Sequence, residues 1–216
     1  MNTLRAPNGC PWDQKQTHES LRRYFIEETY EVVDAIDNKD MPNLREELGD
    51  VLLQVVFHSQ LAEEAGHFTL QDVINDVAEK MIRRHPRVFS PENDEKSYSW
   101  DELKAKEKKN IQNSVLDGVS KSLPALMAAY KLQEKAAKLG FDWDELDPVW
   151  AKVSEEMGEF KEAIDQNDRE NMEKEAGDVL FSLINLFRWY KISGENALNR
   201  TNTKFRQRFL HVEACV

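Results

Sequence analysis

The sequence predicts an all-α fold built from two tandem copies of one helical unit. Three observations carry that expectation. Apolar residues recur at helical spacing along most of the chain. No alternating β-branched runs joined by a tight hairpin turn can be read. One stretch also occurs twice: Glu27–Leu52 and Glu155–Leu180 are identical at 13 of 26 positions, without a gap, 128 residues apart.

In chain order, residues 19–38 carry Leu21, Phe25, Ile26, Val32, Val33 and Ile36 close to helical spacing, with Thr17 placed to cap them. Asp40-Met41-Pro42-Asn43 reads as a turn, with Pro42 suited to open the next helix. That helix, 43–65, runs through Leu44, Leu48, Val51, Leu52, Val55, Val56 and Leu61 and ends at Gly66. A third, about 69–84, starts at Thr69 and is stopped by Pro86. Residues 86–99 read as loop, and a charged helix opens near Ser99 and runs through Lys108. In the second half Pro124 opens a series of helices near 124–138, 146–166, 170–192 and 195–213. The expected organisation is a first unit over 1–112, a linker over 113–122 containing Ser114, Gly118, Ser120 and Ser122, and a second unit over 123–216.

With 216 residues, 40% of them hydrophobic, the chain can bury one large or two small cores. A net charge of −11 argues against binding nucleic-acid backbones, while polyphosphates remain accessible if a divalent metal and local Lys or Arg screen the charge. Cys10 and Cys215 stand far apart, which points to neither a disulfide framework nor a zinc site. There is no apolar run of transmembrane length and no apolar leader, so a soluble cytoplasmic protein is expected.

Four acids repeat with the same spacing: Glu28, Glu31, Glu47 and Asp50, then Glu156, Glu159, Glu175 and Asp178. Residues i and i+3 share a helix face, so each pair points one way. Glu31 lies nine residues before the turn centre and Asp50 ten after it, each roughly 14 Å away at 1.5 Å per residue. The four carboxylates are therefore expected at one level on facing antiparallel helices. The helix after Asp50 reads as mostly buried. Clustered carboxylates beside such surface raise one another's pKa unless a counter-charge is supplied, and oxygen-only ligands favour Mg²⁺ or Mn²⁺. Gly49 and Gly177 suggest close helix approach or metal access, since each costs about 1 kcal/mol against Ala in a helix. The plain alternative is a solvated acidic face, common in a chain with 40 acidic residues.

This pattern on an all-α scaffold resembles the MazG family of nucleoside triphosphate pyrophosphohydrolases. Gly9-Cys10-Pro11-Trp12-Asp13, Glu27-Glu28-Thr29-Tyr30-Glu31-Val32, Leu48-Gly49-Asp50, Arg83-Arg84-His85-Pro86 and Ser122-Leu123-Pro124-Ala125-Leu126 all look like tandem-domain bacterial MazG proteins. The resemblance implies Mg²⁺-dependent hydrolysis of (d)NTPs between the α and β phosphates, giving (d)NMP and pyrophosphate, and similarity to dimeric all-α dUTPases. The eight acids would then be metal ligands, and Glu27 or Glu155 could orient the attacking water as general base. Lys204 and Arg208, spaced i and i+4, would meet the phosphates, as would Lys80 and Arg84 in the first copy. Lys152, one turn before Glu156, is a further candidate. Offsetting a helix macrodipole is the plain reading of such basic residues. Trp100 and Lys104 form a W-x-x-x-K expected near the nucleotide, or Trp100 anchors a core. The second-copy equivalents of this pair would fall beyond Val216, so a tail is expected to be missing relative to the family.

Arg45-Glu46-Glu47-Leu48-Gly49 resembles the end of a Nudix box, but that fold needs strands. His18, His58, His67, His85 and His211 read as scattered, without partners at metal or triad spacing. A helical metal-binding regulatory protein without turnover is the alternative function. Homodimerisation is expected, because a four-helix unit buries its apolar stripe best against another copy. No membrane association or direct nucleic-acid binding is expected.

Overall fold

A computed structural model describes residues 1–89 and 114–214, and every regular element among them is helical. The chain forms two compact units, Met1–Lys106 and Glu107–Val216. The expected helix from Ser99 to Lys108, with Trp100 and Lys104, lies outside the described residues.

The first unit is built on α3 (His18–Asn38) and α4 (Met41–Glu64), preceded by the short α1 (Asn2–Arg5) and α2 (Pro11–Gln14) and followed by α5 (Leu70–Arg84) and α6 (Pro86–Phe89). Thr17 caps α3 reciprocally with Ser20, and Thr69 caps α5 with Asp72. Pro86–Phe89 was expected as loop and instead forms one helical turn. Proline suits a first helical position, and the Val88 and Phe89 amides both donate to the His85 carbonyl. The second unit holds a 3-10 turn (Val115–Gly118), then α7 (Ala125–Ala137), α8 (Leu146–Asp165), α9 (Arg169–Trp189) and α10 (Gly194–Glu213).

The central hairpin is made in the same way in both units. Lys39 and its repeat counterpart Asn167 adopt left-handed backbone, φ 57° and 54°. The next amides, of Asp40 and Asp168, reach back to the Ala35 and Ala163 carbonyls at 2.9 and 3.1 Å. The Asp40 and Asp168 side chains then accept from the Asn43 and Asn171 amides, both at 3.1 Å, and so start the following helix. Ala35 and Ala163 are both buried, and their small side chains suit a close approach of the two helices.

The two interiors differ. In the first unit Leu21, Phe57 and Ala62 are buried, and Trp12 packs edge-on against Tyr24 and Phe57 at 5.9 and 6.5 Å. Arg5 fastens this end: its guanidinium pairs with Glu64 at 2.7 Å, donates to the Asp13 carbonyl and lies over the Phe57 ring. In the second unit Val149, Val153 and Leu186 form a hydrophobic cluster with Leu146, Leu183 and Trp189.

Two expectations need correction. Helix α4 is not mostly buried within its unit: Leu48, Leu52 and Leu53 are exposed, as are Leu180 and Phe181, the counterparts of the last two. Close helix approach does not explain Gly49 or Gly177, since a Cβ on either meets nothing within 4 Å. Gly9 does need to be glycine, because a Cβ there would sit 2.2 Å from the Leu4 carbonyl oxygen. Urea unfolding is expected to show Gly49→Ala and Gly177→Ala each more stable by up to about 1 kcal/mol. Gly9→Ala is expected to be less stable by about 1–3 kcal/mol, the range for overpacking.

Candidate metal centre

Each hairpin places one acidic pair on either helix, and each brings three of its four acids together. One oxygen from each of Glu28, Glu47 and Asp50 lies within 4.8 Å of the others, and so do oxygens of Glu156, Glu175 and Asp178. The fourth acids sit beside these groups: Glu31 hydrogen-bonds to Glu28 and acts on Glu47, and Glu159 is close enough to feel Glu156 and Glu175.

In the first cluster burial and the neighbouring acids act together on the carboxyls. Partial burial pushes the Glu28 carboxyl above the usual range, and the hydrogen bond and charge of Glu31 add to it, followed by Asp50 and Glu47. Glu47 is raised for the same reasons, desolvation first and then Glu31 and Asp50. Among the described residues no Lys or Arg forms an ion pair with these acids. The second cluster is deeper, with Glu156 and Glu175 only 7% and 4% exposed. Lys152 stands 2.9 Å from Glu156 and 3.0 Å from Glu155. Lys174 stands 2.8 Å from Glu175 and 4.0 Å from Asp178. The Glu156 bond holds Lys152 well above the usual lysine range, and Glu175 does the same for Lys174. Desolvation, then the charges of Glu156 and Glu175, raise Glu159.

The donor sets fit a hard divalent cation. They are oxygen-only, converge within reach of one ion, and in the second unit include Glu175 Oε2, a buried oxygen with no hydrogen-bond partner. The remaining expected site residues fall elsewhere. Glu27 and Glu155 are exposed and stand outside the two groups of three. Lys80 and Arg84 are half-buried on α5, which packs against α4. Lys204 and Arg208 lie on the exposed C-terminal half of α10; among the described residues neither makes an ion pair. Lys174 was missed; its signal was a Lys at the repeat counterpart of Glu46, directly before a cluster acid.

The histidine expectation is also corrected. His18 and His58, 40 residues apart, meet across the α3–α4 hairpin with Nδ1 atoms 2.8 Å apart and rings stacked at 5.1 Å. Burial, then His18, holds His58 below the usual imidazole range. Linear spacing hid the pair because antiparallel helices join residues equally far from the turn.

Comparison with known proteins adds an independent observation. The MazG nucleotide pyrophosphohydrolase domain matches residues 16–89 and 147–213, one segment in each unit. The chain belongs to this family. It is 47% identical over 219 residues to the nucleoside triphosphate pyrophosphohydrolase/pyrophosphatase MazG of Thermotoga maritima, covering all of the chain and 84% of that protein. Similarity to the nucleoside triphosphate pyrophosphohydrolase of Escherichia coli K12 is 45% over 224 residues, covering all of the chain and 85% of the relative. The uncharacterized protein YabN of Bacillus subtilis is 53% identical over 216 residues, 97% of the chain but 44% of that protein. Both MazG segments contain a complete set of four acids.

The raised carboxyls give a pH test. Folding favours their protonated forms, so the associated stability is fully present below about pH 4.3, the ordinary carboxyl value. It is lost as pH rises through the raised folded values. Glu47→Gln removes one such charge. Its melting temperature, relative to the unsubstituted chain without metal, is expected to climb as pH goes from about 4 to 7. Added Mn²⁺, followed by calorimetry, is expected to shrink that difference.

Proposed function

We propose that this chain is a nucleoside triphosphate pyrophosphohydrolase that cleaves (d)NTPs between the α and β phosphates, releasing (d)NMP and pyrophosphate with Mg²⁺. The observation that carries the reading is the converging carboxylate trio at matching positions in both MazG segments. In this reading Glu28, Glu31, Glu47 and Asp50, and Glu156, Glu159, Glu175 and Asp178, hold Mg²⁺, with Mn²⁺ as a substitute. Bound there, the ion neutralises charge on the triphosphate. Lys152 and the Lys204–Arg208 pair are assigned to the phosphates in the second unit, and Lys80 and Arg84 in the first. Trp100 and Lys104 are assigned to the nucleotide in the same reading. Glu155, whose exposed carboxylate pairs with Lys152, orients the attacking water once Lys152 turns to phosphate. Glu27 takes that role in the first unit. The units are assigned to 1–112 and 123–216, with 113–122 as linker, and the location to the cytoplasm. No described helix is long and apolar enough to cross a membrane.

The reading includes a homodimer. Its support is the exposed apolar face of the hairpins, Leu48, Leu52 and Leu53 in one unit and Leu180 and Phe181 in the other. Sedimentation is expected to give twice the 25.2 kDa chain mass, falling to one chain in Leu52→Lys.

The alternative, a metal-binding regulatory protein without turnover, draws on the internal ion pairs of the second cluster. Pyrophosphate release from a panel of NTPs and dNTPs with Mg²⁺ decides between them. Release is expected, and Glu31→Ala or Glu159→Ala is expected to lower it by about a hundredfold or more in the copy that turns over. No release from any nucleotide, with Mn²⁺ binding retained, would establish the regulatory alternative.

A further inference from the structure

The repeat allows the two acid clusters to be compared position by position, and they differ in cations rather than in acids. Lys174 stands where the first unit has Glu46, and Lys152 stands where it has Tyr24. Tyr24 is engaged elsewhere, by the guanidinium of Arg23, which lies 4.4 Å from its ring centroid. Four carboxylates in the second unit thus carry two ammonium groups, and four in the first carry none among the described residues.

Those ammonium groups sit on two of the three acids that converge. Lys152 bonds Glu156 Oε1 and Lys174 bonds Glu175 Oε1, and these two acids belong to the converging trio. A divalent cation entering the trio, even on the unpartnered Glu175 Oε2, is repelled by two positive charges a few ångströms away for as long as they stay. A triphosphate offers the displaced ammonium groups new partners. The Lys174 side chain is 68% exposed, so its head can swing from carboxylate to an incoming phosphate at little cost.

We propose that Lys152 and Lys174 are built-in counter-ions of the second cluster. They hold the place of the cation, so that this cluster takes a divalent metal weakly by itself and firmly only when a nucleoside triphosphate draws the lysines away. The first cluster takes the metal without nucleotide. The nucleotide half of this statement rests on the function proposed above; the lysine half does not.

Mn²⁺ titration of the full chain, read by electron paramagnetic resonance without nucleotide, tests the lysine half. Glu47→Gln with Asp50→Asn silences the first cluster, and loss of mutually repelling charges should leave folding intact, with circular dichroism as the check. In that background Lys174→Met is expected to tighten Mn²⁺ binding about tenfold, the effect of removing one charge near a divalent ion at high dielectric. Lys174→Arg, which keeps the charge, is expected not to tighten it. In the otherwise unchanged chain Glu46→Lys is expected to weaken the nucleotide-free site about tenfold. Unchanged affinity in Lys174→Met, or equal tightening by Met and Arg, would overturn the proposal. Binding of α,β-methylene-ATP by the unsubstituted chain is measured separately. Its absence refutes the nucleotide reading, while the Lys174 variants still decide the counter-ion role.

Discussion

Everything at the candidate site depends on the register of one turn. A left-handed residue, Lys39 or Asn167, ends the first helix, and an aspartate, Asp40 or Asp168, starts the second. With that turn so short, residues equally far from it face each other, because both helices advance about 1.5 Å per residue. Glu28 therefore meets Asp50, Glu156 meets Asp178, and further along His18 meets His58. An inserted residue in either arm would rotate its acids by about 100° and disperse them. The turn chemistry is local and the consequence lies some three turns away.

Bringing four acids to one level is unfavourable by itself, and the units meet that cost differently. In the first, desolvation and then the neighbouring acids raise the Glu28 and Glu47 carboxyls. The second buries its acids more deeply and sets lysines against them. Depth and compensation belong together: a carboxylate as buried as Glu175 needs a partner. Even so, Glu175 Oε2 has none among the described residues. One ammonium on one oxygen satisfies less of the pair than a cation shared among three acids would.

Much of this was legible in the sequence because it is periodic. Helices α3, α4, α5, α8, α9 and α10 follow from apolar spacing and from boundary residues such as Thr17, Thr69 and Pro42, and the acid clusters follow from the repeat and the turn. What was not legible depends on tertiary contacts. The short helices α1 and α2 owe their place to Arg5, whose partner Glu64 is 59 residues away. Lys174 reads as one more surface lysine until its neighbour Glu175 proves to be buried. Leu52 looks like core by pattern, yet a hairpin has two apolar faces and one unit covers only one of them. For the glycine before each cluster aspartate the sequence suggests close helix approach or metal access, and the open space where its Cβ would stand removes the first of these.

The copies diverge most just beyond the acids. One turn past Asp50 lies Gln54, 6% exposed, with an oxygen that finds no partner; its counterpart Ser182 satisfies itself on the Val179 carbonyl. Phe25, His58 and His18 continue that stripe, where the second unit has Val153, Leu186 and Leu146. At these three positions the second unit is thus aliphatic, where the first has a phenylalanine and two histidines. An apolar floor lowers the local dielectric and strengthens the charge contacts above it, which suits a site with internal counter-ions. Duplication supplied two equal sets of ligands, and the residues beneath and beside them set how each cluster meets a cation.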